Sequence, residues 1–235
     1  MNTAAAIDQH QFLESVTTEK WSLEKPVRRS IEGSKPDVLA DIYQENINIA
    51  VWQRELSSGL ALDVSSLLSN KPTLQTSMTV TAKSVYNSIN ETLGASAYTA
   101  LSKDIARLVD MFCCLFDLKR VGLRLTALNR AMCPKFHVDR VPCRLVTTYQ
   151  GSATDWLPHH LIDRTKLGSG SLGKTDEESG LFCNPRDIHH LKQGDVALLK
   201  GELWEGNEGA GLVHRSPAVL DGERRLLLTL DFIGD

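Results

Sequence analysis

Aromatic residues are scarce, with six Phe, four Trp and four Tyr among 235 residues. That leaves little for the stacking platforms that hold single-stranded bases. An excess of either charge is also missing: 26 Lys and Arg face 29 Asp and Glu, for a formal net charge of -3. The balance excludes a basic nucleic-acid footprint as the main feature and argues against an acidic, disordered tail. Long apolar runs are absent. The longest lies around Met111 to Phe116, far too short to span a bilayer. The opening MNTAAAIDQHQFLES has no basic start followed by an apolar run, so no secretory signal is visible. The five cysteines are odd in number, and Cys113 and Cys114 are neighbours inside a helical pattern, which speaks against a disulfide framework. The expectation is a cytoplasmic protein with no membrane and no nucleic-acid partner.

What is present suits a sizeable core: 42% of residues are hydrophobic and 23% charged. Residues 1–37 are polar, broken by Pro26 and Pro36, and read as an adaptor with room for one short helix. Asn46 to Trp52 alternates like a strand. Gln53 to Leu68 reads as a helix stopped at Ser69-Asn70-Lys71-Pro72, and Thr81 to Leu93 as a second one ending at Gly94. The clearest helix is Ser96 to Phe116. Its Tyr98, Leu101, Ile105, Leu108, Val109, Phe112, Leu115 and Phe116 recur at three and four.

After Lys119 the period falls to two. Val121, Leu123, Leu125 and Ala127 alternate with Gly122, Arg124, Thr126 and Leu128. Phe136 to Tyr149, Asp195 to Gly201, Gly211 to His214 and Arg224 to Phe232 are further strand candidates, with a long polar loop from Gly151 to Gly180. Short strands between turn residues suggest a closed barrel or jelly roll. The fold class is α+β: a mostly helical layer over residues 1–118, packed on a β-structure over residues 119–235, the two forming one unit.

His137-Val138-Asp139 is the first chemical feature. On an extended segment the two side chains share a face, and an imidazole beside a carboxylate is two-thirds of a facial triad for Fe(II). His214 closes an apolar strand, where a buried imidazole needs a reason, and supplies the third ligand that a jelly-roll metal site requires. Gly222-Glu223-Arg224-Arg225 then leads into the last strand. Arg225 shares a face with Leu227, Thr229 and Asp231, whereas Arg224 shares one with Leu226, Leu228 and Leu230. A guanidinium inside the barrel can clamp a carboxylate in a bidentate fork, and Thr229 can add a hydroxyl.

A competing set overlaps the first. Cys133, His137, Asp139 and Cys143 fall at odd positions and are acceptable zinc ligands, although Pro134 and Pro142 interrupt any strand between them. Adjacent His159-His160 and His189-His190 point to opposite faces, so each pair offers one ligand at most to a given site. Gly168 to Thr175 matches the phosphate-loop formula in letters. The acidic Asp176 to Gly180 that follows is too short for the helix such a loop needs, so the segment reads as a mobile loop, a candidate lid.

In the order H-x-D, then His, then Arg about ten residues on, the C-terminal half resembles the Fe(II)/2-oxoglutarate-dependent dioxygenases, in particular the prolyl-hydroxylase-like branch. The matching text is His137-Val138-Asp139, Arg144, Thr147, Tyr149, Gly151, Thr154, Trp156-Leu157-Pro158, Gly194 to Leu199, His214 to Pro217, Val219, Gly222 and Arg224-Arg225. The resemblance implies a double-stranded β-helix with iron held by His137, Asp139 and His214. It implies 2-oxoglutarate held by Arg225, or by Arg224 in the other register, with Tyr149 and Thr229 as hydrogen-bond partners. The family's Arg-x-Ser/Thr ending is missing, since Leu227 stands two after Arg225. The whole chain also resembles an uncharacterised bacterial family whose genes lie near zinc-responsive regulators and metal-chaperone GTPases. That resemblance implies a zinc-binding accessory in metal homeostasis, with a GTPase partner, as the alternative to an oxygenase.

Overall fold

Residues 27–94 and 97–234 are described by a computed structural model of the protein. The expected adaptor before Pro26 and the Ser96 start of the third helix lie outside the described residues. Two short strands open the described chain, β1 (Arg29–Gly33) and β2 (Ile47–Trp52), followed by helix α1 (Ser58–Asn70) and strand β3 (Gln75–Val80). Helices α2 (Val85–Leu93) and α3 (Thr99–Phe116) come next. Then follow β4 (Val121–Leu128), β5 (Cys143–Gln150), β6 (Asp155–Leu157), the single turn α4 (Asp176–Ser179), β7 (His189–His190), β8 (Val196–Lys200), β9 (Val213–Arg215) and β10 (Arg225–Asp231).

The helices form where their apolar spacing predicts. Leu101, Ile105, Leu108, Val109 and Phe112 bury one face of α3, and Gly94 ends α2 in the left-handed conformation at φ 108°. Asp63 of α1 accepts the backbone N–H groups of Ala100 and Leu101 at 2.7 and 3.1 Å. A carboxylate thus sits at the positive end of α3 and ties the two helices together.

The strands make two sheets. The large one has the order β1-β2-β8-β5-β10-β4-β3, with β1–β2 parallel and every other pair antiparallel. The small one has the order β7-β6-β9, and His137 extends it by pairing with His214 across a single bridge. From β4 onward the chain shuttles between the central strands of the large sheet and the small sheet, which is a jelly-roll path. Period two then sorts the side chains. Leu123, Leu125, Leu145, Leu198, Leu226, Leu228 and Leu230 meet the helices, whereas Val146, Ala197 and Leu199 face the small sheet with Trp156 and Leu212.

Three expectations change. The mostly helical first half holds two strands beyond the expected one, β1 and β3, which hydrophobic periodicity does not announce. Both lie at the edges of the large sheet and expose polar faces, so neither carries an apolar stripe. Phe136 to Tyr149 is not one strand, because only the His137 bridge and β5 are extended pairings, and Pro142 precedes β5. The polar loop from Gly151 to Gly180 contains β6, which forms the middle of the small sheet. No helix among the described residues is long and apolar enough to cross a membrane.

Candidate metal and anion site

His137 and His214 face each other across the bridge, each N–H bonded to the other's carbonyl at 3.0 Å. Their rings lie 4.7 Å apart. His137 Nδ1 is 2.9 Å from the Lys135 carbonyl oxygen, and His214 Nδ1 is 3.2 Å from that of Leu212. A carbonyl only accepts, so each Nδ1 carries a proton and each ring turns its Nε2 toward Asp139. Asp139 completes the set, with its oxygens 3.7 Å from His137 Nε2 and 3.3 Å from His214 Nε2. One donor atom from each of the three residues lies within 4.8 Å of the other two. Two imidazole nitrogens and a carboxylate oxygen gathered this closely form a donor set that suits Fe(II).

Asp139 is held in place by Arg144, whose Nη1 donates to Oδ2 at 2.7 Å, and Arg144 in turn forks onto Asp231 at 2.6 and 3.1 Å. Burial alone would raise the Asp139 carboxyl. The bond with His214 and the charges of His214, Arg144 and His137 outweigh it and hold the group down at about 2. Burial, followed by the neighbouring His214, pushes His137 below the usual imidazole value. The turn carrying Asp139 rests on Gly201. A Cβ there would collide with the carbonyl oxygens of Val141 and Asp139, so the close approach requires glycine.

The other predicted residues divide. Arg225 is 1% exposed and enters the cavity that His137 and His214 line. It donates to the hydroxyls of Thr148 at 3.2 and 3.3 Å, Thr154 at 3.0 Å and Ser216 at 2.7 Å. No described carboxylate forms an ion pair with it. Burial pushes the guanidinium down to about 10, still protonated at neutral pH, against the weaker opposing charge of Asp155. Thr229 lines the same cavity. Arg224 turns away and donates to the Pro72 carbonyl at 3.2 Å. Tyr149 is absent from the cavity. It belongs to the helix side of the sheet, where its hydroxyl donates to Asp104 at 2.8 Å beside Arg54, so strand parity gives its expected place to Thr148.

The four-ligand zinc set does not assemble. Cys143 points into the helix-side core, and burial pushes its thiol far up; Cys133 lines the cavity but is not part of the donor cluster. His190 pairs with Asp155 at 2.7 Å and the His189 ring packs 4.5 Å from Trp156, so neither joins the cluster. Gly168–Ser171 is a 3-10 turn and α4 has only four residues, so the strand–loop–helix frame of a phosphate loop is missing.

Sequence reasoning gave no role to Arg144, Thr148, Thr154, Ser216 or Arg215. Parity alone points to Arg144 and Thr148, which share a face with Val146. Arg215 bonds Asp155, Asp176 and Glu177, each at 3.2 Å, and lies over the Phe136 ring at 4.4 Å. Asp176 also accepts the Phe136 N–H at 2.9 Å, which pins the α4 loop beside His137.

A family model matches residues 33–231. The chain belongs to the family described as protein of unknown function DUF1826. No curated protein matches it. Among solved structures, the Arabidopsis thaliana dioxygenase for auxin oxidation 1 in its 2-oxoglutarate complex is 9% identical over 89% of this chain and 93% of that one, with a TM-score of 0.47. A Pseudomonas putida prolyl-4-hydroxylase is 12% identical over 84% and 93%, with a TM-score of 0.43. A full-length Neurospora crassa protein in complex with alpha-KG and 5-formyluracil is 10% identical over 89% and 85%, with a TM-score of 0.49. Scores below 0.5 at such identities decide nothing about chemistry, which rests on the side chains.

Proposed function

We propose that the protein is a non-haem oxygenase that uses Fe(II) and 2-oxoglutarate. One observation carries the reading: a buried guanidinium without a carboxylate partner opens into the same cavity as a two-histidine, one-carboxylate cluster. A buried charge is ordinarily paired, so Arg225 calls for an anion supplied from outside the chain. A ligand with a carboxylate for Arg225 and further oxygens for a metal at His137, Asp139 and His214 answers both needs.

In this reading His137 Nε2, His214 Nε2 and an Asp139 oxygen hold the iron and leave its remaining positions open. Iron bound there supplies the oxygen chemistry that couples decarboxylation of 2-oxoglutarate to oxidation of a substrate C–H bond. Lys135 and Leu212 fix the two imidazole tautomers through their carbonyls, and Arg144 fixes the carboxylate. Thr148, Thr154 and Ser216 aim the Arg225 guanidinium and, being neutral, leave its charge for the ligand. Val146 and Leu227 add apolar surface to the cavity wall.

The test is an anaerobic titration of metal-free protein with Fe(II) and then 2-oxoglutarate, followed by visible absorbance. A weak charge-transfer band is expected only after both additions. It should vanish in His137→Ala and Asp139→Ala, and Arg225→Gln should bind iron but form no band. A parent protein that binds Fe(II) and gives no band with excess 2-oxoglutarate refutes the proposal.

A further inference from the structure

The cavity at the donor cluster is walled by four arginines, Arg124, Arg144, Arg215 and Arg225, and by no acidic side chain. Two of them are neutralised by neighbours: Arg144 by Asp139 and Asp231, and Arg215 by Asp155, Asp176 and Glu177. Arg225 is the deep, unpaired one. Arg124 is the fourth, at the mouth. It reaches Asp231 only at 4.0 Å, beyond hydrogen-bond range, and Asp231 is already held by the Arg144 fork. Arg124 makes no hydrogen bond among the described residues, and its side chain is 54% exposed. Its five N–H donors are available to a ligand.

The backbones that carry Arg124 and Arg225 are well separated. Arg124 lies directly opposite Thr229 on β10, four residues along the strand from Arg225. Four residues of strand span about 13 Å. The carboxylates of a five-carbon diacid are separated by roughly half of that. A co-substrate that runs from Arg225 to the donor cluster has both ends engaged and leaves Arg124 for a second ligand.

The surroundings of Arg124 show where that ligand has room. A second cavity, about 460 Å³, adjoins the first and shares Arg124 and Arg144 with it. Its far wall includes Ser77 and Thr79 of β3, whose exposed positions lie opposite Arg124 and Gly122. Two hydroxyls and the Arg124 guanidinium line this cavity beside Val141 and Ile233, and its one carboxylate, Asp231, is taken up by the Arg144 fork.

We propose that the substrate of this site carries an oxyanion, a carboxylate or a phosphate, and that Arg124 is the residue that selects it. The proposal rests on the oxygenase reading only in assigning Arg225 to the co-substrate. Arg225 and Arg124 are the two wall cations that no described carboxylate hydrogen-bonds, and Arg124 chooses among anions by direct hydrogen bonding.

The experiment uses Zn(II)-loaded protein saturated with 2-oxoglutarate, so that Arg225 is occupied and no turnover occurs. Three probes are titrated by NMR: phenylacetate, its neutral amide, and phenyl phosphate. An anion of either kind should bind about tenfold more tightly than the amide. If phosphate outbinds carboxylate, the selected group is a phosphate; if the reverse, a carboxylate. Arg124→Gln should abolish the preference, Arg124→Lys should keep most of it, and 2-oxoglutarate affinity should be the same in all three proteins. Equal binding, or no binding, of anion and amide by the parent protein overturns the proposal, as does a preference that survives Arg124→Gln. Failure of 2-oxoglutarate to bind refutes the oxygenase reading separately, and the three probes are then titrated without it. In that arm a preference lost in Arg124→Gln supports the proposal, and one lost only in Arg225→Gln overturns it.

Discussion

Replacing Arg225 with methionine should make the ligand-free protein more stable while removing its response to 2-oxoglutarate. The guanidinium is 1% exposed, meets only hydroxyls, and is held down to about 10 by burial. A displacement of that size corresponds to about 3 kcal/mol of unfavourable charge burial. Methionine fills a similar volume without the charge. It also removes a donor from Thr148, Thr154 and Ser216, at about 1 kcal/mol, because their hydroxyls can rotate to new partners. The net gain is about 1–2 kcal/mol, or roughly 2–6 °C in Tm for a chain of this size. The parent protein, saturated at a hundred times its Kd, should instead gain about 2.7 kcal/mol from 2-oxoglutarate. Calorimetry on the Zn(II)-loaded proteins with and without 2-oxoglutarate should therefore show the order of stability reverse. A variant that is less stable than the parent without ligand, or that still responds to the ligand, refutes the claim that Arg225 is poised for an outside anion.

Arg144→Met should lower metal affinity by about 10- to 100-fold in a competition titration, because Asp139 loses the cation that orients it; unchanged affinity would refute that role. Gly201→Ala should push the Asp139 turn away from its carbonyl contacts, destabilising the fold by about 2 kcal/mol in urea and weakening metal binding. Tyr149→Phe should cost about 1 kcal/mol of stability through its lost bond to Asp104 and leave 2-oxoglutarate affinity as it was, since the phenol lies across the sheet from the cavity. Lys200 gives a pH signature. It is 1% exposed, and burial lowers its ammonium to about 8, so between about pH 8 and 10 the unfolded chain holds more protons than the folded one. Stability should rise with pH across that window relative to Lys200→Met, and parallel pH profiles would contradict the burial of a charge there.

The meeting of His137, Asp139 and His214 was legible because the pattern is local in the text. H-x-D places two donors on one face, and an imidazole closing the apolar run Gly211 to His214 asks for a purpose. Arg225 was legible only as one of two, since adjacent residues on a strand differ by parity and the text does not say which face is inside. The β10 ladder resolves it through Leu226, Leu228 and Leu230, which meet the helices. Tyr149 was misplaced because its role came from the resemblance alone, whereas strand parity sets it with Cys143 and Leu145 on the helix side. Thr154 and Ser216 reach Arg225 from β6's approach and from beyond β9, and no spacing rule connects residues 71 and 9 positions away. The strands β1 and β3 escaped notice for a different reason. An edge strand with a wet face has no hydrophobic alternation to read.

The paired backbones of His137 and His214 bear on when the site comes into being. The two residues are separated by a long stretch of chain that includes β5, β6, β7 and β8. Joining them closes a loop whose entropy costs about 4 kcal/mol. Neither imidazole has its neighbour until β9 has paired with β6, so the donor set needs the small sheet in place. An ion that needs both rings can be captured only by a chain that has already finished its barrel. On the proposed oxygenase reading, iron held there would act as a latch on that closure.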